Sequence, residues 1–158
     1  MKTENDFNRF LSAEIKRLSP TVFAFKSADK YGLGVPDYII WGHGYSCVFE
    51  SKFIQSLPDK PNTKILKHTF KRTQQSFMKN VMGASNPAWG IIGCKKNKII
   101  YVIEATSIPE SGNFTHAELQ ELIKLKKVKL FEFNDVEEMI LHMLDIIEEA
   151  VYAEEKPA

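Results

Sequence analysis

Cysteine is scarce in this chain. Cys47 and Cys94 are the only two among 158 residues, with no Cys-x-x-Cys and no Cys/His cluster at ligand spacing. That pattern disfavours both a zinc module and a disulfide framework. Long apolar runs are missing too. The longest, such as IIYVI, reach about five residues, far short of a membrane span. The opening MKTENDFNRF is too polar for a signal peptide. No membrane partner is expected, and the reading is a soluble cytoplasmic protein of a bacterium, an archaeon or a virus-infected host cell. Nucleotide signatures are also lacking. There is no G-x-x-x-x-G-K-[ST], and Gly32-x-Gly34 is not followed by the rest of a dinucleotide fingerprint. No Ser/His/Asp arrangement and no internal repeat stands out.

What remains is an ordinary globular composition, 44% hydrophobic and 26% charged, which argues against disorder. The length suits one domain over 1–158, with a core at about 4–133 and an acidic helix at about 134–153. A chain of this size buries roughly 68–70% of its unfolded surface and needs no covalent or metal staple.

The formal net charge of +1 seems at first to exclude a polyanionic partner. Its distribution reverses that inference. Residues 51–98 hold ten basic side chains against one acid, Asp59, whereas residues 131–158 hold nine acids against Lys156 alone. A basic block of this kind marks a polyanion-binding surface or a merely solvated exterior.

Periodicity gives the element order. Thr3 with Asp6 forms a capping-box pattern ahead of a helix from about Glu4 to Leu18, with Phe7, Phe10, Leu11, Ile15 and Leu18 at helical spacing and Ser19-Pro20 as its stop. TVFAFKS (21–27) reads as strand, and DKYGLG (29–34) as loop. DYIIW (37–41) and YSCVFESKF (45–53) read as strands joined by a tight turn at Gly42-His43-Gly44. Residues 54–69 lack periodicity and read as a long basic loop. A helix is expected over about 70–82, with Phe70, Gln74, Phe77 and Val81 on one face. WGIIGC (89–94) and KIIYVIEA (98–105) form a second hairpin, Thr115-x-x-Glu118 caps a short helix, and VKLFEF (128–133) is strand. Asn134-x-x-Glu137 opens a last helix with Val136, Met139, Ile140, Met143, Leu144, Ile147 and Val151 as its apolar stripe. Trp41 and Trp89 read as core. The fold class is α/β, a mixed central sheet flanked by helices.

The chemically informative stretch is GVPDYIIWGHGYSCVFESKF, residues 34–53. Pairing about a turn near His43 puts Asp37 opposite Phe49 or Glu50. Strand alternation puts Glu50 and Lys52 on one face and Ser51 on the other. Two carboxylates and an ammonium therefore converge at one end of a hairpin. Paired carboxylates with open positions suit Mg²⁺, which keeps several waters and can bind substrate phosphate. A neighbouring ammonium can orient water or offset developing charge. The bland alternative is a salt bridge at a sheet edge. Glu14 adds to the functional reading, because it lies four residues from both Phe10 and Leu18 on the apolar stripe of the first helix, where a carboxylate is costly without a cation.

Pro36-Asp37 and Glu50-Ser51-Lys52, on adjacent strands after a helix bearing a glutamate, resemble the PD-(D/E)xK nuclease core. The chain looks nearest to RecU-type Holliday-junction resolvases and virus-type replication-repair nucleases. The likeness spans about 7–104 and includes FESK, the Arg72-Thr73-Gln74-Gln75-Ser76-Phe77 helix and the WGIIG strand. It implies a restriction-endonuclease-like core in which Asp37, Glu50 and Glu14 hold Mg²⁺, with Mn²⁺ able to substitute. It assigns Lys52 to the attacking water and one of Gln74 and Gln75, preferably Gln74, to the core-helix position. It further implies a homodimer that cuts branched DNA, a four-way junction in particular. Lys60, Lys64, Lys67, His68, Lys71, Arg72 and Lys79 are the expected DNA contacts. The competing readings are a nuclease for flaps, forks or specific duplex sites, an inactive DNA-binding module on the same fold, and a protein-interaction domain working through the acidic helix.

Overall fold

The computed structural model describes residues 1–28 and 32–144. The elements follow the expected order. They are α1 (Glu4–Arg17), β1 (Val22–Lys26), β2 (Tyr38–Gly42), β3 (Tyr45–Ile54), α2 (Arg72–Gly83), β4 (Ala88–Cys94), β5 (Ile99–Glu104), α3 (His116–Lys124) and β6 (Val128–Glu132). A 3-10 turn over Phe133–Asp135 leads into helical residues 136–144, designated α4. The six strands form one sheet in the order β1-β2-β3-β4-β5-β6. All neighbours are antiparallel except β3 and β4, whose parallel pairing is bridged by α2. The expected mixed sheet flanked by helices is thus what forms.

Alternation along β3 sorts its residues between two cores. Cys47 and Phe49 join Phe7, Leu11, Ile15, Tyr38, Ile40 and the α4 residues Met139, Ile140 and Met143 on one side. Val48 and Ile54 join Phe70, Met78, Ile92, Tyr101 and Leu119 on the other. β4 is buried along its whole length, as befits a central strand covered on both faces. Its glycines admit close neighbours. A Cβ at Gly93 would stand 2.6 Å from the Phe7 ring, and one at Gly90 would stand 2.9 Å from the Phe70 ring.

Local signals held where chemistry was specific. The capping boxes of Thr3 with Asp6 and Thr115 with Glu118 form, whereas Asn134, expected to cap the final helix with Glu137, falls inside the 3-10 turn that precedes it. The β2–β3 turn closes through His43 and Gly44, both at positive φ, so Gly42 pairs with Tyr45. Val136, Met139, Ile140, Met143 and Leu144 of the final stripe are buried, whereas Ile147, Val151 and the rest of the expected acidic helix lie outside the described residues.

Two expectations need correction. The buried face of α2 carries Gln75 and Met78, with Phe77 half-buried at its margin and Phe70 seated before the helix begins. Trp41 is 44% exposed, because it lies on the outer part of the sheet beside the edge strand β1, where its ring meets that of exposed Phe23. Trp89 is buried as expected. The basic loop forms as expected, with no helix or strand between Ile54 and Arg72, and it is anchored: Ile65, Leu66 and Phe70 are buried, and the Asn113 side chain bonds both the N–H and the carbonyl of Leu66.

Candidate active site

The hairpin register fixes the geometry. Tyr38 faces Phe49, so the next pair outward is Asp37 and Glu50. The Asp37 N–H donates to Glu50 Oε2 at 2.9 Å. Asp37 Oδ2 in turn accepts the Ser51 N–H at 3.0 Å and the Ser51 hydroxyl at 2.9 Å. Ser51 Oγ also bonds Asn8 of α1, so the aspartate is tied to the first helix through a fully buried serine. Glu50 and Lys52 lie on the α2 side and Ser51 on the α1 side, as alternation requires.

The other contacts to Glu50 come from α2 and from its own strand. Gln74 Nε2 donates to Glu50 Oε1 at 2.8 Å, while Gln74 Oε1 accepts the Lys71 N–H at 2.8 Å. Gln75 instead donates to the Phe70 and Glu110 carbonyls, a structural role. Of the doublet, Gln74 is therefore the one that reaches Glu50. Lys52 Nζ lies 3.8 Å from Glu50 Oε1, with its side chain 6% exposed. The ammonium rests over the Phe70 ring at 5.6 Å, and Phe70 fits there because Gly90 beneath it has no side chain. Gly34 presses equally close to α2. At φ +80°, it has no Cβ to meet the Thr73 carbonyl 2.2 Å away, so the chain entering Asp37 packs directly on the start of that helix.

Burial dominates the electrostatics. Glu50 is 3% exposed, and desolvation, reinforced by the Asp37 charge, pushes its pKa up to about 8, with Lys52 countering only part of the rise. A carboxyl in that state gains from any cation placed between it and Asp37.

These groups line one side of a cleft of about 920 Å³. Lys67, His68 and Lys71 stand on its rim with Lys2 and Thr3. Four expected DNA contacts do not share that rim. Lys64 pairs with Glu118 of α3 at 3.7 Å, and Lys60, Arg72 and Lys79 are exposed outside the cleft lining.

Glu14 is not in the site either. It pairs with Arg17 at 3.0 Å on the surface of α1 and does not line the cleft. The sheet-facing stripe of α1 runs through Phe7, Leu11 and Ile15, with Phe10 and Leu18 at its margin, so a residue between Phe10 and Leu18 lands on the flank. The helix-borne acid that does line the cleft is Glu4. Its pKa is raised by burial, opposed by Lys52 and His68 and reinforced by Asp37. The signal was present in the sequence, since Glu4, Asn8, Leu11 and Ile15 repeat at i, i+4, i+7, i+11.

No family model matches the chain, and no curated protein matches it in sequence. Among solved structures, one that resembles it is Hjc, a Holliday junction resolvase from the archaeal hyperthermophile Archaeoglobus fulgidus. The two are 15% identical, with a TM-score of 0.47 over 73% of this chain and 97% of that one.

The donor set fits a hard, hydrated cation better than a closed cage. Asp37 and Glu50 are adjacent and share one hydrogen-bonded frame, and Glu4 lines the same cleft. Among the described residues no group of three His, Cys, Asp or Glu side chains is assembled for a metal. Two carboxylates with open positions match the way Mg²⁺ retains waters and takes substrate phosphate as a ligand. Among the described residues, no helix is long and apolar enough to cross a membrane.

Proposed function

We propose that this protein is a divalent-metal-dependent endonuclease that hydrolyses DNA phosphodiesters. The observation that carries the reading is the pairing of Asp37 with buried Glu50 and Lys52 at the mouth of a cleft with basic residues on its rim. Asp37 and Glu50 would hold Mg²⁺, with Mn²⁺ as a substitute and Glu4 in place to complete the shell. When bound, the ion polarises the phosphodiester and lowers the pKa of water.

The chain's own residues do the rest. Lys52, held on Phe70, places a positive charge beside Glu50 where the attacking water and the developing phosphorane charge need one. Gln74 fixes the Glu50 carboxylate, and Ser51 with Asn8 fixes that of Asp37. Lys67, His68, Lys71 and Lys2 meet the flanking phosphates, which position the substrate without reading its sequence. A branched substrate, a four-way junction cut by a homodimer, is supported by the likeness of Pro36-Asp37 and Glu50-Ser51-Lys52 to the resolvase motif. Flaps, forks and plain duplex are the competing substrates for the same chemistry.

The test incubates wild type and Asp37→Asn with labelled four-way junction, flap and linear duplex, in Mg²⁺ and in EDTA. Wild type should cut the junction in Mg²⁺ alone, and the mutant should bind it without cutting. Absence of cleavage on every substrate sinks the enzyme. Cleavage that survives Asp37→Asn sinks the site. Sedimentation of the protein with and without junction checks the dimer, and a monomer on cleaved junction removes it.

A further inference from the structure

The basic rim of the cleft comes from the segment expected to be basic, but a second cationic track lies on the other flank of α1. Asn5, Arg9, Ser12 and Lys16 recur at intervals of four, three and four, which places them on one face of the helix. The acids of α1 fall elsewhere: Asp6 caps the N-terminus, Glu14 pairs with Arg17, and Glu4 lines the cleft. Lys26 of β1 lies alongside that face, with its ammonium 5.7 Å above the Tyr38 ring. Arg9, Lys16 and Lys26 are all exposed, and none of the three forms an ion pair among the described residues.

Cavity continuity distinguishes this track from scattered surface lysines. Next to the cleft is a hollow of about 380 Å³ lined by Asn5, Asn8, Arg9, Ser12 and Lys26. It shares Asn5 with the cleft. Beyond it lies a groove of about 340 Å³ between α1 and β1, whose polar lining includes Ser12, Lys16, Ser19 and Lys26. Ser12 and Lys26 belong to both hollows. From Asn5 to Lys16 the path follows eleven residues of helix, about 17 Å.

We propose that the DNA backbone leaving the cleft runs along this groove between α1 and β1, with Arg9, Lys16 and Lys26 neutralising its phosphates and Asn5, Ser12 and Ser19 supplying neutral hydrogen bonds. The proposal rests on the nuclease reading and adds to it a second contact surface, separate from the loop before α2.

The test measures four-way-junction and duplex binding without divalent cation at 50–200 mM salt. It compares wild type, Arg9→Gln/Lys16→Gln/Lys26→Gln, and a control that removes three exposed charges at the C-terminal end of α3 and just beyond it, Lys124→Gln/Lys126→Gln/Lys127→Gln. Each phosphate neutralised adds about 0.9 to the log–log salt slope. The groove variant should therefore lose about 2.7 of slope. Across the fourfold salt range wild type should lose about 40-fold more affinity than that variant. Lys26→Gln alone should remove about 0.9, which guards against a folding defect in the triple variant. A groove variant whose slope falls no further than the control overturns the proposal while leaving the nuclease reading intact, provided wild type binds and cuts. A wild type that binds no DNA overturns both.

Discussion

Replacing Glu50 with Gln removes the charge that burial makes costly and keeps the shape of the side chain. The carboxamide can still accept one of the two N–H bonds, from Asp37 or Gln74, and its amide group can donate to the Asp37 carboxylate. In the folded protein the Glu50 pKa stands near 8, first through desolvation and then through Asp37, against a value of 4.5 for the free side chain. Between those two values the folded state retains a proton that the unfolded state has released. Stability is therefore fullest below pH 4.5 and falls as pH rises towards 8. At about 1.36 kcal/mol per pKa unit the ceiling is about 5 kcal/mol, a large share of a typical domain's stability.

The assay is urea unfolding in EDTA from pH 5.5 to 8.5, for wild type and Glu50→Gln. Other titrating groups largely cancel in the difference between the two proteins. Wild type should lose at least about 2 kcal/mol relative to the variant across that range. Mg²⁺ added at pH 8 should then stabilise wild type, as any ligand of the folded state does, and leave the variant nearly unchanged. Parallel pH curves for the two proteins would refute the claim that burial raises Glu50. Equal stabilisation of both by Mg²⁺ would remove Glu50 from the metal.

Three further outcomes follow from the same contacts. Glu4→Gln should cut single-turnover cleavage at least tenfold, while Glu14→Gln, which loses only a surface pair with Arg17, should match wild type and shift stability by under about 1 kcal/mol. Gln74→Ala should slow cleavage with little effect on melting. Gln75→Ala should do the reverse, since the buried bond to the Phe70 carbonyl and the part-buried bond to the Glu110 carbonyl lose their donor, at a cost of about 1–3 kcal/mol. Gly90→Ala puts a methyl 2.9 Å from the Phe70 ring, so it should cost about 1–3 kcal/mol and lower the cleavage rate through the displaced seat of Lys52. Calorimetry and a cleavage time course on one preparation separate the two effects.

The legible parts of the site were those set by local rules. A two-residue turn at His43-Gly44 fixes the register, the register sets Asp37 opposite Glu50, and period-two alternation puts Lys52 beside Glu50. None of that needs knowledge of distant residues. The error at Glu14 arose because a helix with partly buried flanks has a wider apolar arc than its true contact line. Phe10 and Leu18 widened the arc, and only packing on the sheet shows that Phe7, Leu11 and Ile15 define its centre. Lys64 stands away from the cleft lining for a similar reason. A one-dimensional charge count cannot anticipate that residue 64 will bridge to Thr115 and meet Glu118.

The same long-range packing also explains why a weak motif becomes a strong arrangement. Glu-x-Lys is common and means little on an exposed strand. On β3 it sits between a parallel neighbour, β4, and the start of α2, where Glu50 and Lys52 are both nearly inaccessible. Burying two ionisable groups of opposite sign is a poor route to stability, since desolvation offsets most of their attraction. An apolar pair at these positions would serve the fold better. The structure instead keeps a raised glutamate against Asp37, satisfies it through Gln74, and leaves the group open to a cleft. Such a local sacrifice of stability beside a cleft is the arrangement that the proposed nuclease chemistry would use, with the cleft as the entry for a cation and a phosphate.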